Sequence, residues 1–185
     1  LIGARHLDVI RGHSGCTVAA IADPQMPSES LVATHNARYY VDHRELIERE
    51  MLDGVIIATP NADHVPVGLD CVAAGLPMLV EKPIADTLVA GRKLVEEADA
   101  AGVPLQIGHH RRFDPAVELA RAVIDKGGIG QLVAVQALWA LRKHDAYYDV
   151  EWRTSRSLGG GPGLINLIHD IDLLRYLCGD IERVY

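Results

Sequence analysis

A glutamate and a lysine stand together at positions 81 and 82, just before Pro83 and just after the apolar run Pro77-Met78-Leu79-Val80. The run reads as a buried strand, and packing accounts poorly for two charges at its carboxyl end. In open α/β sheets that edge is where ligands bind. A lysine there can donate a hydrogen bond to an oxygen on which negative charge develops. The proline fixes φ and removes an N–H, so the turn is rigid and the lysine is held in one direction. The X-Pro bond also permits a cis peptide. The plainer reading is a solvated strand end closed by a turn proline.

His169 is the second candidate. It lies in an apolar helical pattern, with Asn166 one turn earlier on the same face and Asp172 three residues on. Histidine is the usual proton acceptor near neutral pH. A histidine in such a pattern is also explained as a core residue with a satisfied partner. The glycines at 159–161 and 163 let the helix start approach a backbone or a ligand closely.

A third group reads as a dinucleotide site. Gly3 opens a helix through Leu7, Val9 and Ile10, and Asp23 follows 20 residues later at the end of the next strand. A glycine before a helix N-terminus lets a pyrophosphate meet backbone N–H groups. An acidic residue at that spacing hydrogen-bonds the ribose hydroxyls of NAD and repels the extra phosphate of NADP. Asp23 equally fits a turn or cap before Pro24. Thr59, Pro60 and Asn61 end a further strand, with Asp63 and His64 just after. Asn61 or Asp63 would also serve as the N-cap of the following helix. His64 alone would pass for a surface histidine.

These residues need elements to hold them. Strands are expected at residues 16–22, 53–58, 78–80 and 103–107, with a short one at 39–41. Helices are expected at 43–50, 62–74 and 86–101. The last carries Leu88, Leu94, Val95 and Ala98 on one face. Gly75 and Gly102 stand where helices should end, with prolines at 77 and 104. Apolar strands joined by helices indicate a parallel sheet of βαβ units. After Ile107 the rhythm changes: a helix over 113–126, a long strand over 131–143, and a helix over 164–178.

The 185 residues are 49% hydrophobic and 23% charged, ordinary for a globular protein. A net charge of −7 without a basic run argues against nucleic acid as a partner. No apolar stretch is long enough to span a bilayer, and no signal peptide is visible. Cys16, Cys71 and Cys178 match neither a disulfide framework nor a zinc pattern. They read as buried or incidental thiols in a reducing cytoplasm, and no metal is expected.

Several motifs in series now carry a resemblance. Ala-Thr-Pro-Asn at 58–61 with His64, Glu81-Lys82-Pro83, Gly108-His109-His110-Arg111-Arg112-Phe113, Trp152-Arg153, Gly159-Gly160-Gly161 and His169-Asp170-Ile171-Asp172 together resemble the glucose–fructose oxidoreductase/inositol dehydrogenase (Gfo/Idh/MocA) family over essentially the whole chain. The resemblance implies an α/β fold: a Rossmann parallel sheet over residues 1–108, then from 109 to 185 the beginning of an α+β substrate domain with a large, mostly antiparallel open sheet. It implies that Gly3 is the third glycine of the family's turn. Both ends are then expected to be cut from something longer. By itself the chain is expected not to fold stably, an expectation that a cooperative melt would contradict.

For function, the resemblance implies an NAD-dependent dehydrogenase or reductase acting on CH–OH groups of a sugar, cyclitol or polyol, inositol 2-dehydrogenase-like first. NADP is the less favoured cofactor. Lys82 and His169 resemble the catalytic pair. Gly3, Asp23, Thr59, Pro60, Asn61, His64, Glu81 and Lys82 fall at the cofactor, and His110, Arg112, Trp152, Asn166 and His169 at the substrate. Inositol-dehydrogenase-like members carry an aspartate four residues before the histidine, where this chain has Ile165. The family often assembles as homo-oligomers through its second sheet. A non-catalytic NAD-binding sensor of the same fold is the alternative.

Overall fold

The computed structural model describes residues 2–155 and 160–185. The chain divides into two compact units, Leu1–Ile107 and Gly108–Tyr185.

In the first unit the order is α1 (Ile2–Arg11), β1 (Ala20–Ala22), α2 (Glu29–His35), β2 (Arg38–Tyr40), α3 (His43–Arg49), β3 (Val55–Ile57), α4 (His64–Ala73), β4 (Met78–Val80), α5 (Leu88–Ala101) and β5 (Leu105–Ile107). All strand pairs are parallel, as the alternation of apolar runs and helices requires. They form two ladders, β1-β2 and β3-β4-β5. β4 is the middle strand of the second, so its carboxyl end is flanked on both sides.

The core lies between this three-stranded sheet and the helices α4 and α5. Ile57, Val80, Cys71 and Leu94 are the largest of its fully buried apolar side chains. Burying each of the larger ones contributes about 1.5–3 kcal/mol. The helices approach closely because Gly68 of α4 faces Leu94 of α5, where an added Cβ would lie 2.9 Å from both Leu94 methyl carbons. Thr87 caps α5 by accepting from the Ala90 N–H at 3.3 Å. Gly102 ends that helix at φ 65°, and Gly75, just past α4, has φ 68°. Both are left-handed positions that glycine takes without strain.

The second unit holds a 3₁₀ turn (His110–Phe113), α6 (Pro115–Asp125), α7 (Glu151–Thr154), a π-helical turn (Gly163–Leu167) and α8 (Ile168–Cys178). Asp114 caps α6 by accepting from the Ala116 N–H at 2.8 Å, with Pro115 at the first helical position. Arg121 of α6 donates to the Tyr176 carbonyl of α8 and also stacks over the Tyr176 ring.

Several expectations change. Residues 131–143 form no strand: Val133 is 93% exposed and Leu138 85%. A strand is defined by its ladder, and none of the described residues pairs with this segment. The strand expected over 16–22 shortens to Ala20–Ala22, because β2, its ladder partner, is itself only three residues long. The helix expected over 164–178 begins with a π-helical turn. No described helix is long and apolar enough to cross a membrane.

Candidate functional site

In the first unit the carboxyl ends of β3 and β4 lie side by side, because Ile57 and Val80 are paired in register. The ladder runs one step further, with the Glu81 N–H donating to the Ile57 carbonyl at 2.9 Å. The residues that follow the two strands, Thr59-Pro60-Asn61 and Glu81-Lys82-Pro83, are thereby brought to one edge. The Lys82–Pro83 peptide bond is cis. Lys82 is half-buried, and Asn61 and Glu81 are buried.

Glu81 is held from two directions. His6 Nε2 donates to Oε1 at 2.8 Å, and the Lys82 N–H donates to Oε2 at 3.2 Å. His6 lies on α1, one turn past Gly3, and sequence reasoning passed over it. The available signal was its spacing: Gly3 and His6 share a helix face.

His64 differs from its expectation. It is 1% exposed. Nδ1 lies 2.7 Å from the Pro83 carbonyl oxygen and Nε2 lies 3.0 Å from that of Thr59. Both polar atoms of the ring face backbone carbonyls, so it is enclosed by the two turns rather than lying on the surface. Asp63 stands at the N-cap position of α4, but its side chain makes no cap bond.

The edge suits a dinucleotide on two observations. Thr59 Oγ1 is buried with no hydrogen-bond partner among the described residues. Buried hydroxyls are rarely left unpaired, so it marks a place for a polar ligand atom. Gly3, at the start of α1, lies against the end of β3: an added Cβ would meet only the Ala58 Cβ, at an ordinary 3.8 Å. The protein's own packing does not call for glycine there, and the helix start offers unpaired N–H groups and the positive end of its dipole. Asp23 follows β1 directly. Its Oδ1 accepts from the Gln25 N–H at 2.8 Å, and its backbone is tied to Tyr40 and Tyr39. This turn fixes the carboxylate at the strand end.

In the second unit, His169 is buried at the start of α8. The exposed His110 ring meets it edge-on, with centroids 4.9 Å apart and planes at 71°. Two of the expected substrate residues are thus brought together. Asn166 lies in the π-helical turn before His169, a local geometry frequent at functional sites. Arg112, expected at the substrate, is drawn onto Asp172 of α8. Its Nε donates to Asp172 Oδ2 at 2.8 Å and its Nη2 to Oδ1, and it sits 5.2 Å from the Tyr176 ring centroid. Hydrogen bonding to Asp172 raises its already high pKa, against the opposing effect of burial. The paired bonds to one carboxylate brace α8. The Trp152 side chain and Gly159 lie outside the described residues. Among those described, no group of three or more His, Cys, Asp or Glu side chains could hold a metal ion.

Comparison with known proteins follows the same division. Residues 1–109 match the GFO/IDH/MocA family described as an oxidoreductase family with an NAD-binding Rossmann fold, and residues 117–185 match the GFO/IDH/MocA C-terminal domain. The rhizopine catabolism protein MocA of Rhizobium meliloti is 34% identical over 178 residues, which is 96% of this chain and 54% of that protein. Inositol 2-dehydrogenase 2 of Saccharopolyspora erythraea is 33% identical over 183 residues, 97% of this chain and 51% of that protein. The chain therefore spans about half the length of the curated relatives it matches. Among solved structures, the WlbA dehydrogenase from Bordetella pertussis, crystallised with NADH and UDP-GlcNAcA, has a TM-score of 0.90 and 27% identity, covering 100% of this chain and 54% of that one.

Proposed function

Because the chain belongs to the Gfo/Idh/MocA oxidoreductase family, we propose that the protein is an NAD-dependent dehydrogenase that oxidises a secondary hydroxyl of a sugar, cyclitol or related polyol. The first unit serves as the dinucleotide-binding domain and the second begins the substrate domain. The observation that carries this reading is the edge at the ends of β3 and β4. A half-buried lysine, a buried asparagine and an unpartnered buried hydroxyl gather there beside the start of α1.

The residues have separate tasks. The N-terminus of α1 at Gly3 receives the pyrophosphate on its N–H groups. Asp23 accepts from the adenosine ribose hydroxyls and disfavours a 2′-phosphate there. Thr59, Pro60 and Asn61 line the nicotinamide end, where the Thr59 hydroxyl gains the partner it lacks. Glu81, held by His6, fixes the backbone from which Lys82 extends. Bound NAD supplies the hydride acceptor. Lys82 donates a hydrogen bond to the substrate oxygen and stabilises the negative charge that develops as the C–H bond breaks. His169 takes the hydroxyl proton, so the carbinol loses a hydride and a proton and leaves as a carbonyl. His110 steers the His169 ring through its edge contact. Asn166 and Trp152 meet the hydroxyls that do not react. With Ile165 at the position four before His169, proton transfer rests on the histidine without a neighbouring carboxylate there.

The names of the relatives favour the cyclitol and sugar class, with inositol as the first substrate to try. The test is reduction of NAD and NADP by the intact protein against a panel of inositols, hexoses and nucleotide sugars. Turnover with NAD on at least one supports the reading. Tight NAD binding with no turnover on any would replace it with a sensor role.

A further inference from the structure

His64 meets both turns of the cofactor edge with its two polar atoms. Its Nδ1 is 2.7 Å from the carbonyl of Pro83, the residue after Lys82. Its Nε2 is 3.0 Å from the carbonyl of Thr59, two residues before Asn61. The ring is 1% exposed, so water does not substitute for either contact. Carbonyl oxygens only accept, so each contact is a hydrogen bond when the facing nitrogen carries a proton, and both hold at once only in the ring protonated on both nitrogens. A rigid ring bonded at opposite edges sets the distance between two turns that follow different strands.

We infer that His64 is a positioning residue for Lys82: a cross-brace that fixes the Lys82–Pro83 turn against the Thr59–Asn61 turn without touching substrate. The inference rests on the reading of Lys82 as catalytic. Two branches of the brace act on different things. The Nδ1 branch holds the turn that carries the lysine, and the Nε2 branch holds the turn that lines the cofactor. A histidine that merely fills the core would make no such distinction.

Two substitutions separate the branches. In His64→Asn the amide nitrogen stands near the place of Nδ1 and keeps a donor toward Pro83. In His64→Gln it stands near the place of Nε2 and keeps a donor toward Thr59. Steady-state kinetics of the intact protein with NAD then give a split. His64→Gln lowers kcat by about tenfold to a hundredfold, the scale of a 1 Å misplacement, with the KM for NAD little changed. His64→Asn raises the KM for NAD and retains most of kcat. Equal losses in both variants, or a change in melting temperature alone, overturn the inference.

Nitrogen-15 NMR of His64 in the unsubstituted protein needs no variant to fold. Slowly exchanging protons on both Nδ1 and Nε2 are expected, because both face acceptors, and a nitrogen without one overturns the brace. If the unsubstituted protein oxidises no polyol, the functional reading has failed, and crystal structures of the two variants decide the brace alone. A Lys82–Pro83 turn displaced in His64→Gln and unmoved in His64→Asn supports it. Turns that superpose in all three proteins overturn it.

Discussion

Replacing His6 by alanine tests how the Glu81-Lys82 turn is anchored. The Glu81 side chain is 10% exposed and that of His6 is 23% exposed. The carboxylate has a short bond to His6 at 2.8 Å and a longer one from the Lys82 N–H at 3.2 Å. Removing the imidazole leaves a nearly buried carboxylate without the shorter of these two bonds. A hydrogen bond to a charged group contributes roughly 1.5–3 kcal/mol, and leaving such a group unsatisfied costs a similar amount. The gap left by the ring admits some water and offsets part of this, so His6→Ala is expected to destabilise by about 2 kcal/mol. Glu81→Gln removes the charge, and His6→Ala should then cost much less. Urea unfolding of the four proteins of the cycle, with slopes checked for constancy, should give a coupling of about 1–2 kcal/mol. Amide exchange at Lys82 should accelerate in His6→Ala beyond the global change. Additive single losses, with a coupling below about 0.5 kcal/mol, would refute the argument that His6 anchors the turn through Glu81.

Other outcomes follow from separate parts of the molecule. Gly68→Ala places a Cβ 2.9 Å from both methyl carbons of the fully buried Leu94, and the repacking should cost about 1–3 kcal/mol, less the gain in helix propensity, read by urea denaturation. Loss of stability should be largely restored by Leu94→Val in the same chain. Burial, then the charge of Asp70, pushes the Cys71 thiol up to about 11. A raised pKa keeps the thiol protonated at pH 8, so a thiolate-selective reagent should label the exposed Cys16 and Cys178 quickly and Cys71 only after unfolding. Asp23→Ser removes the charge that opposes a 2′-phosphate, and the preference for NAD over NADP should fall by about tenfold or more in the ratio of kcat/KM values.

What the sequence made legible follows from how local each signal is. β4 stands at Met78–Val80 as expected, because an apolar run bounded by Gly75, Pro77 and a charged pair has little freedom in where it starts and stops. The parallel topology was legible for a similar reason: helices separate the apolar runs, and short hairpin turns do not. Residues 131–143 misled because alternating apolar residues report a tendency to extend, whereas a strand also needs a partner. The helix α2 was missed. Its signals were weak ones, Ser28 before it and Asn36 after it at φ 49°, and the serine makes no cap bond.

At the candidate site, residue types were legible and partners were not. Lys82 stood out by its charge at a strand end. The histidine that holds its neighbour Glu81 is 75 residues away in the chain. The carboxylate that holds Arg112, Asp172, lies 60 residues on. His64 read as a surface residue because nothing local announces that both its nitrogens meet backbone carbonyls. Spacing along one helix or one strand is readable from sequence, and pairing between elements distant in sequence is decided by the fold.

The account's central claim is that Lys82 stabilises charge on the substrate oxygen during hydride transfer to NAD. Lys82→Met retains the length of the side chain and removes the donor. Single-turnover kinetics of the intact protein with bound NAD and the best polyol from the panel read the chemical step directly. The account expects a loss of about a hundredfold or more in that step, with NAD affinity within a few-fold of the unsubstituted protein. An unchanged single-turnover rate would contradict it.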